Sequence, residues 1–341
     1  MDSFDVIIIG AGPAGLKCAE TLGNSKYNVL LLEKNSEIGP KVCAGGLTGK
    51  DIEYLNLPQN LIDFQYDKIN IHINNSKFKV KNKDNFAYTI DRKNLGQWQL
   101  KKLKEFKNIE VRTKSRVTKI EKNFILVNDK KISYKFLVGA DGSSSIVKRY
   151  LGIKSKNVGI AIQYIIPTKK YKEFEIFSNS RLFSAWYAWI FPHKNYVSIG
   201  CGCNPEIFPS IYLTRNFNDW LKKNQIDISN AKYEAFMLNY DYQGYQFENI
   251  FLVGDAGGFV SGLTGEGIYQ ALVSGEEIGK IILNKEYLSS KIENLLKIKK
   301  KHNKIMNILI KSGKFRTIIF YLGILLFKIP YFKKKAIGLL G

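Results

Sequence analysis

Three short runs of apolar residues along the chain are each followed at once by a glycine-rich loop. Residues 6–9, 136–138 and 250–253 carry no polar side chain. Such runs are typical of parallel strands that are buried on both faces of a sheet. Because the carboxyl ends of parallel strands meet at one edge, we expect the three loops to line a single long ligand.

Elsewhere the apolar positions alternate with polar ones or recur at helical spacing. Ile69, Ile71 and Ile73 alternate before an Asn-Asn-Ser turn at 74–76, which predicts an antiparallel hairpin within 67–88. Short strands are predicted near 111 and over 116–120, and a further hairpin over 124–127 and 132–134. Helices are predicted over 93–106 and 264–283.

Residues 5–33 predict a strand, turn, helix and strand that together bind a dinucleotide. Gly10 permits the tight turn, Gly12 leaves room for a diphosphate, and Gly15 lets the helix pack closely on the strand. The free N–H groups at the start of that helix would face the diphosphate. Glu33 ends the second strand eighteen residues after Gly15, where a carboxylate can accept the ribose hydroxyls.

Composition and charge restrict the class of protein. The chain has 341 residues, of which 45% are hydrophobic, enough for a substantial core. Its formal net charge of +22 favours anionic partners, but it has no nucleic-acid-binding motif, so we expect no nucleic acid partner. Asp2 and Asp5 precede an apolar run of only four residues, which argues against a signal peptide.

The cysteines and histidines show no metal-binding spacing. None of the four cysteines forms a CxxC pair, so we predict no metal site and a reducing, cytoplasmic location. Cys201 and Cys203 share a strand face and are predicted to be packing residues. His72, His193 and His302 are predicted to lie at the surface or in turns.

Two further stretches have more than one interpretation. Cys43 lies in a loop of small residues, where it is either a packing residue or a reactive thiol. Tyr187, Trp189 and Phe191 alternate onto one face of a predicted strand. Such a face suits either a protein core or a groove for an all-carbon polyene chain.

Together these motifs resemble the flavin signatures of the FAD-dependent hydroxylase and reductase superfamily, the p-hydroxybenzoate hydroxylase-like flavoproteins. They are the glycines with Glu33, Ala-Asp-Gly at 140–142 and Val-Gly-Asp at 253–255. Within the superfamily the chain resembles the geranylgeranyl reductase family through Cys-Ala-Gly-Gly-Leu at 43–47 and Tyr-Ala-Trp-Ile-Phe-Pro at 187–192. Seven residues after the second motif comes Gly-Cys-Gly at 200–202. The resemblance covers residues 3–285.

The resemblance implies FAD as the cofactor, with Glu33 on the adenosine ribose, Arg92 near the diphosphate and Asp255 on the ribityl chain. The complete cofactor-binding set that we predict comprises Gly10, Gly12, Ala14, Gly15, Glu33, Lys34, Cys43, Ala44, Gly45, Gly46, Arg92, Val117, Asp141, Gly142, Gly254, Asp255, Gly265 and Gly267. The predicted substrate-lining set comprises Tyr187, Trp189, Phe191, Pro192, Gly200 and Gly202.

The activity that the resemblance implies is reduction of C=C bonds in a prenyl (geranylgeranyl) chain, borne by a lipid or a diphosphate, in isoprenoid lipid biosynthesis. Hydride would come from reduced flavin and a proton from an acid. An isolated alkene has no carbonyl to polarise, so the enzyme must supply a proton donor and a fixed pose. A thiol is protonated near neutral pH, and Cys43 is therefore the predicted catalytic residue.

The electron donor and the class of reaction leave alternatives. No second Rossmann fingerprint is present, so the donor is either NADPH or an acidic, ferredoxin-like carrier. An FAD-dependent monooxygenase or halogenase is the rival enzyme class. A flavoprotein that relays electrons at a membrane surface without reducing an alkene is the other alternative.

We predict an α/β protein, α+β overall, in which a Rossmann-type FAD-binding domain is interleaved with an antiparallel substrate domain. The first takes residues 1–62, 89–152 and 248–285, the second 63–88 and 153–247, and a basic, apolar helical region takes 286–341.

The apolar run at 318–327 is too short to span a bilayer and is flanked by lysines and Arg316. It is either a helix packed on the body or, as we favour, an interfacial helix on an anionic membrane, which would make the protein peripherally membrane-associated.

Overall fold

The computed structural model describes residues 2–326, and we number its strands and helices in chain order. The strands are β1 (Asp2–Ile9), β2 (Val29–Leu32), β3 (Gly46–Thr48), β4 (Ile62–Tyr66), β5 (Lys68–Ile73), β6 (Ser76–Lys81), β7 (Ala87–Ile90), β8 (Ile109–Arg112), β9 (Val117–Glu121), β10 (Phe124–Val127), β11 (Lys130–Gly139), β12 (Val158–Ile166), β13 (Glu175–Ser178), β14 (Ala188–Pro192), β15 (Val197–Cys203), β16 (Lys232–Asn239), β17 (Gln246–Phe247) and β18 (Ile250–Leu252). The helices are α1 (Pro13–Thr21), α2 (Gly49–Leu55), α3 (Arg92–Leu103), α4 (Ile146–Tyr150), α5 (Ser210–Lys223), α6 (Ile268–Leu283), α7 (Ser290–Lys311) and α8 (Arg316–Leu326).

The three apolar runs form neighbouring strands of one sheet, as predicted. Its order is β17, β18, β11, β1, β2, β8, and β18 through β8 run parallel. Helices α1, α6 and α7 cover one face, where Val6, Ile8 and Leu31 are fully buried. The other face packs against β9, β10 and α4. Burial on both faces explains why the three apolar runs within β1, β11 and β18 carry no polar side chain.

A second sheet has the order β16, β12, β15, β14, β13, β5, β6, and only its β13 to β5 pairing is parallel. Its strands come from two separate parts of the chain, residues 68–81 and 158–239. The predicted hairpin is present as β5 and β6. A small antiparallel sheet of β3, β7 and β4 lies in the chain between the glycine loop and α3. The predicted fold class is therefore confirmed.

Two boundaries differ from the sequence prediction for local reasons. Residues 132–134 do not form a separate hairpin strand, because β11 continues without a break from Lys130 to Gly139. The last helix of the nucleotide-binding part begins at Ile268 and not at residue 264. Gly265 has a φ of +69°, a left-handed conformation that keeps residues 264–267 out of the helix.

The C-terminal part packs on both sheets. Helix α7 lies against α6, and α8 lies against β5, where the Tyr321 hydroxyl donates to the Ile73 carbonyl oxygen at 3.1 Å. Within residues 2–326, no helix has the length and apolarity that crossing a bilayer requires. The predicted basic residues from Lys328 onward, and the end of the apolar run at residue 327, lie outside the described residues.

Candidate active site and cofactor cradle

The first glycine loop is shaped by two close backbone contacts and one open space. Gly10 has a φ of +102°, and a Cβ there would lie 2.4 Å from the Ala140 carbonyl oxygen. A Cβ on Gly15 would lie 1.9 Å from the Gly10 carbonyl oxygen. By contrast, a Cβ on Gly12 would meet no atom within 4 Å. Gly10 and Gly15 are therefore required by the protein itself, whereas Gly12 leaves space beside the start of α1.

That space belongs to a cavity of about 440 Å³ along the carboxyl edge of the parallel sheet. The cavity brings together residues that are far apart in the chain. Among the predicted cofactor-binding residues, it is lined by Gly10, Gly12, Glu33, Lys34, Arg92, Val117, Asp141 and Gly142. Residues that the sequence reasoning did not assign also line it, including Lys41, Ser115, Arg116, Arg149 and Phe236.

Three of the charged side chains that line the cavity are the predicted residues Glu33, Arg92 and Asp141. Glu33 Oε2 accepts the Ala11 N–H at 3.1 Å, which places the carboxylate beside the glycine turn. The Arg92 side chain is buried at the start of α3, and its Nε has no hydrogen-bond partner among the described residues. Asp141 Oδ2 accepts the Ile146 N–H at 2.6 Å, while Oδ1 has no partner there. Burial raises the pKa of Asp141.

The remaining predicted cofactor residues lie around the cavity and not in its lining. Ala14 packs against Gly254, since a Cβ on that glycine would lie 3.2 Å from the Ala14 Cβ. Asp255 Oδ2 forms a 3.1 Å ion pair with Lys41 Nζ, from the loop that precedes Cys43. Gly267 is close to Asp255, because a Cβ there would lie 3.7 Å from Oδ1.

The Cys43 loop is held by hydrogen bonds to three successive carbonyl groups. Gln163 Nε2 donates to the Cys43 oxygen at 3.3 Å, His193 Nε2 lies 3.0 Å from the Ala44 oxygen, and the Ile90 N–H donates to the Gly45 oxygen at 2.9 Å. The Gly45 N–H donates to Cys43 Sγ at 3.4 Å. The loop is therefore fixed from β12, from the end of β14 and from β7.

The aromatic residues of the 187–192 motif form a wall against which this loop lies. A Cβ on Gly46 would lie 3.0 Å from a ring carbon of Phe191, and the Phe191 ring stacks on Phe174 at 3.9 Å between centroids. Trp189 lies opposite Gly200 in the β14 to β15 pairing, where a Cβ on the glycine would be 2.3 Å from the indole. Gly46 therefore lets the loop lie close to the Phe191 ring, and Gly200 makes room for the Trp189 indole within the second sheet.

The polar atoms of this wall point into the protein. Trp189 Nε1 donates to Ser198 Oγ at 2.9 Å, and the Tyr187 hydroxyl donates to the Thr264 carbonyl oxygen. Burial raises the pKa of Tyr187, so its hydroxyl stays protonated. Pro192 is buried at the end of β14, and Gly202 pairs with Ala161 in the neighbouring strand. The wall thus presents mainly carbon atoms to the loop at Gly46.

The structure also corrects the prediction for two histidines. His193 and His302 are each 2% exposed, because each makes a buried hydrogen bond instead of facing solvent. His193 Nδ1 lies 2.8 Å from Asp63 Oδ2, and His302 Nδ1 lies 2.8 Å from Ser261 Oγ. Neither could have been located from spacing, because the partners are 130 and 41 residues away.

A pair of carboxyl groups beside the loop was likewise missed. Thr48 Oγ1 lies 2.9 Å from Asp51 Oδ2 and 3.5 Å from Glu266 Oε1. Burial raises the pKa of Glu266, and the neighbouring Asp51 carboxylate raises it further. Burial also raises the pKa of Asp51, against the hydrogen bonds from Thr48. The signal that could have pointed to Glu266 is its position in a glycine-rich loop that opens a helix.

Comparisons with known proteins agree with this geometry. Residues 4–175 match the family model described as pyridine nucleotide-disulphide oxidoreductase. The chain is 30% identical over 294 residues to an uncharacterized protein of Methanosarcina barkeri, covering 83% of this chain and 75% of that protein. It is 29% identical over 347 residues to the digeranylgeranylglycerophospholipid reductase of Methanococcus vannielii, covering 93% and 87%.

Solved structures show the same fold at low identity. A geranylgeranyl bacteriochlorophyll reductase-like protein from Thermoplasma acidophilum has a TM-score of 0.75 at 19% identity, covering 99% of this chain and 100% of that one. A flavin-dependent brominase has a TM-score of 0.74 at 17% identity, covering 99% and 93%. The class is thus that of the FAD-dependent oxidoreductases. Within it, the chain belongs to the pyridine nucleotide-disulphide oxidoreductase family, and the names of its relatives fit the geranylgeranyl reductase family that its motifs resemble.

FAD is the cofactor of this class, and the cavity fits it. The space beside Gly12 is one that a side chain would fill, as expected for a diphosphate that approaches the backbone at the start of α1. The unpartnered Nε of Arg92 in the same cavity suits an anion. Glu33 stands at the end of β2, where a ribose would be bound.

Proposed function

We propose that this enzyme reduces C=C bonds of a prenyl chain carried by a membrane lipid or a related isoprenoid. The names of its relatives support this substrate class, since several are digeranylgeranylglycerophospholipid reductases. The observation that carries the proposal is the mainly carbon wall of Trp189, Phe191 and Phe174 against the Cys43 loop. A saturated or unsaturated hydrocarbon can be desolvated there without losing a hydrogen bond.

The cofactor would be held along the cavity by this chain's own groups. We propose that the N–H groups at the start of α1 and the Arg92 guanidinium bind the diphosphate, that Glu33 binds the adenosine ribose, and that Asp255 binds the ribityl chain. The glycine-rich segment before α6 and the free N–H groups at the helix start would stabilise negative charge on the flavin. Reduced FAD, when bound, supplies the hydride.

Cys43 would supply the proton. The S–H bond breaks, the alkene π electrons form a C–H bond at the carbon that receives no hydride, and the S–H electron pair stays on sulfur. Hydride at one carbon and a proton at the other complete a two-electron reduction. The Gly45 N–H, which already donates to Cys43 Sγ at 3.4 Å, remains in place to stabilise the thiolate until it takes a proton from water.

The test is anaerobic incubation of the dithionite-reduced protein with vesicles that contain digeranylgeranyl phospholipid, followed by mass spectrometry. We expect products two mass units heavier per reduced bond. In Cys43→Ser, we expect FAD content and its reducibility to be kept while alkene reduction slows at least tenfold, about 1.4 kcal/mol of transition-state stabilisation. Flavin that is reoxidised only by oxygen, with no saturated product, would favour a monooxygenase.

We further propose that the enzyme acts at an anionic membrane surface through α8. Ile318, Leu322 and Leu325 lie along one stripe of that helix and are 55%, 56% and 49% exposed. Lys314 precedes the helix, and Lys304 and Lys311 lie on α7. An apolar stripe beside basic side chains is typical of helices that lie in the membrane interface. The electron donor would be NADPH or an acidic, ferredoxin-like carrier attracted by the net charge of +22.

A further inference from the structure

His193 lies between two hydrogen-bond acceptors in the interior, directly behind the Cys43 loop. Its side chain is 0% exposed and that of Asp63 is 6% exposed. Nδ1 lies 2.8 Å from Asp63 Oδ2, and Nε2 lies 3.0 Å from the Ala44 carbonyl oxygen. The ring stacks on Tyr196 with centroids 4.3 Å apart. Its position and orientation are therefore fixed by three separate contacts.

The Asp63 carboxylate and the Ala44 carbonyl oxygen together determine how many protons the His193–Asp63 pair carries. A carbonyl oxygen cannot donate, so Nε2 must carry a hydrogen. A neutral imidazole has a hydrogen on only one nitrogen, so Nδ1 would then face the Asp63 carboxylate with a lone pair. Two acceptors at 2.8 Å repel, and hence the stable arrangement has an imidazolium against a carboxylate.

This pair contacts the loop at the peptide next to the thiol. Ala44 directly follows Cys43, and a Cβ on Gly45 would lie 2.5 Å from His193 Cε1, so the ring touches the loop itself. Cys43 and Gly45 are held through their carbonyls by Gln163 and Ile90. Removal of the hydrogen bond from His193 would free the Ala44 carbonyl group, while those of Cys43 and Gly45 stay bound, so the peptide between them could rotate.

We propose that His193, held as an imidazolium by Asp63, is a positioning residue that orients the Cys43 peptide and stabilises the Cys43 thiolate. This inference deepens the proposed function, in which that thiolate forms when the proton leaves. Within the pair, Asp63 lies on β4, whereas the Nε2–H of His193 faces the carbonyl oxygen of Ala44, the residue that follows Cys43, so the positive group is on the loop's side. The other titratable groups around the ring are Tyr196, which donates to Asp91 Oδ2 at 3.3 Å, and Tyr66 on β4.

The experiment measures Cys43 chemistry without requiring turnover. Cys18, Cys201 and Cys203 are buried, so iodoacetamide at pH 7.5 should modify Cys43 first, with Cys43→Ser as the blank. His193→Phe keeps the ring stacked on Tyr196 and removes both hydrogen bonds. In the FAD-loaded protein, we expect alkylation at least fivefold slower than in the wild type, with alkene kcat lowered at least tenfold and KM within twofold.

Asp63→Asn removes the positive charge of His193 but keeps the position of its ring. The amide N–H₂ can donate to Nδ1, so a neutral imidazole keeps its bond to the Ala44 oxygen while the positive charge is lost. We expect alkylation slowed as in His193→Phe, but kcat lowered less. This isostere also serves as the test if the phenylalanine variant does not fold.

His72→Phe is the matched control. His72 lies 2.9 Å from Glu175 Oε1 and stacks on Phe177, so it makes a similar histidine pair far from the loop. Both rates should stay within twofold of the wild type. An alkylation rate that is unchanged or higher in both His193→Phe and Asp63→Asn would overturn the inference. If the wild type reduces no alkene, the proposed function fails, whereas the alkylation rates still test His193.

Discussion

Gly12 offers the sharpest test of the proposed FAD diphosphate site at the first glycine loop, because the protein itself does not require glycine there. Its φ of −76° and ψ of −179° are open to any L residue, and an added Cβ meets no atom within 4 Å. In the FAD-free protein, Gly12→Ala should therefore leave the free energy of unfolding unchanged or raise it by about 0.4–1 kcal/mol, through the unfolded chain. The same Cβ would stand where the diphosphate meets the backbone.

FAD binding should respond in the opposite direction. We expect Gly12→Ala to weaken FAD binding at least tenfold, about 1.4 kcal/mol, and Gly12→Val to retain no stoichiometric flavin. At an FAD concentration of about 100 times the wild-type Kd, the stabilisation by FAD should fall from about 2.7 to about 1.4 kcal/mol in the alanine variant. Urea unfolding with and without FAD, followed by tryptophan fluorescence, measures both quantities.

Gly15→Ala is the matched control for this experiment. Its Cβ would lie 1.9 Å from the Gly10 carbonyl oxygen, so the backbone must shift even without cofactor. We expect a loss of about 1–3 kcal/mol or more of unfolding free energy in the FAD-free protein. Stoichiometric FAD in Gly12→Val, or FAD-free Gly12→Ala as unstable as Gly15→Ala, would refute the reasoning.

Two further predictions concern the acidic pair and the outer helix. Burial raises the pKa of Glu266, so in the folded protein this carboxyl group keeps its proton at pH values where an ordinary carboxyl group has lost it. Its contribution to the free energy of unfolding therefore falls as the pH rises above about 4.3. Glu266→Gln should thus be more stable than the wild type at pH 8, by about 1 kcal/mol, and equal near pH 4, as measured by urea unfolding. Glu276→Gln should be less stable than the wild type at pH 8, since bonds from Lys280 and Tyr54 outweigh burial and lower the pKa of Glu276 to about 2, and the difference should disappear only as the pH falls towards 2; equal pH profiles for the two variants would contradict this. Replacing Ile318 and Leu322 by serine should weaken sedimentation with anionic vesicles by about 2 kcal/mol, about thirtyfold, with the flavin spectrum unchanged; the same loss in Leu288→Ser, an 87% exposed site outside α8, would show that the effect is not specific to that helix.

The shape of the cavity at the first glycine loop could be predicted from the sequence because short stretches of backbone form it. Gly10, Gly12, Gly15 and Glu33 belong to one strand, turn, helix and strand, so their spacing fixes their relative positions. The alternation of residues 187–191 likewise fixed which aromatic side chains share a face, while Ala188 and Ile190 pack in a different core. Both are local properties of a strand or a turn.

The support of the Cys43 loop could not be predicted, because no local pattern contains it. Its three carbonyl oxygens accept hydrogen bonds from Gln163, His193 and Ile90, which lie 120, 149 and 45 residues further along the chain than their partners. A single histidine after an apolar strand has no periodicity that distinguishes a buried donor from a surface residue, so the surface prediction for His193 was wrong. The pairing of Asp51 with Glu266 depends in the same way on α2 meeting the start of α6.

The first glycine loop and the Cys43 loop should therefore tolerate substitutions differently. In the proposed binding mode the FAD diphosphate is held by main-chain N–H groups at the start of α1, so substitutions within α1 that keep the three glycines should leave those groups in place. The Cys43 loop instead depends on side chains from β12 and β14 and on the backbone of β7, so a shift of the second sheet moves the thiol even when residues 43–46 are unchanged. At Gly46 the loop contacts the wall directly, since a Cβ there would lie 3.0 Å from a Phe191 ring carbon. Hence the position of Cys43 relative to the cavity is set by how the elements that hold the loop pack on the parallel sheet, and not by the loop sequence alone.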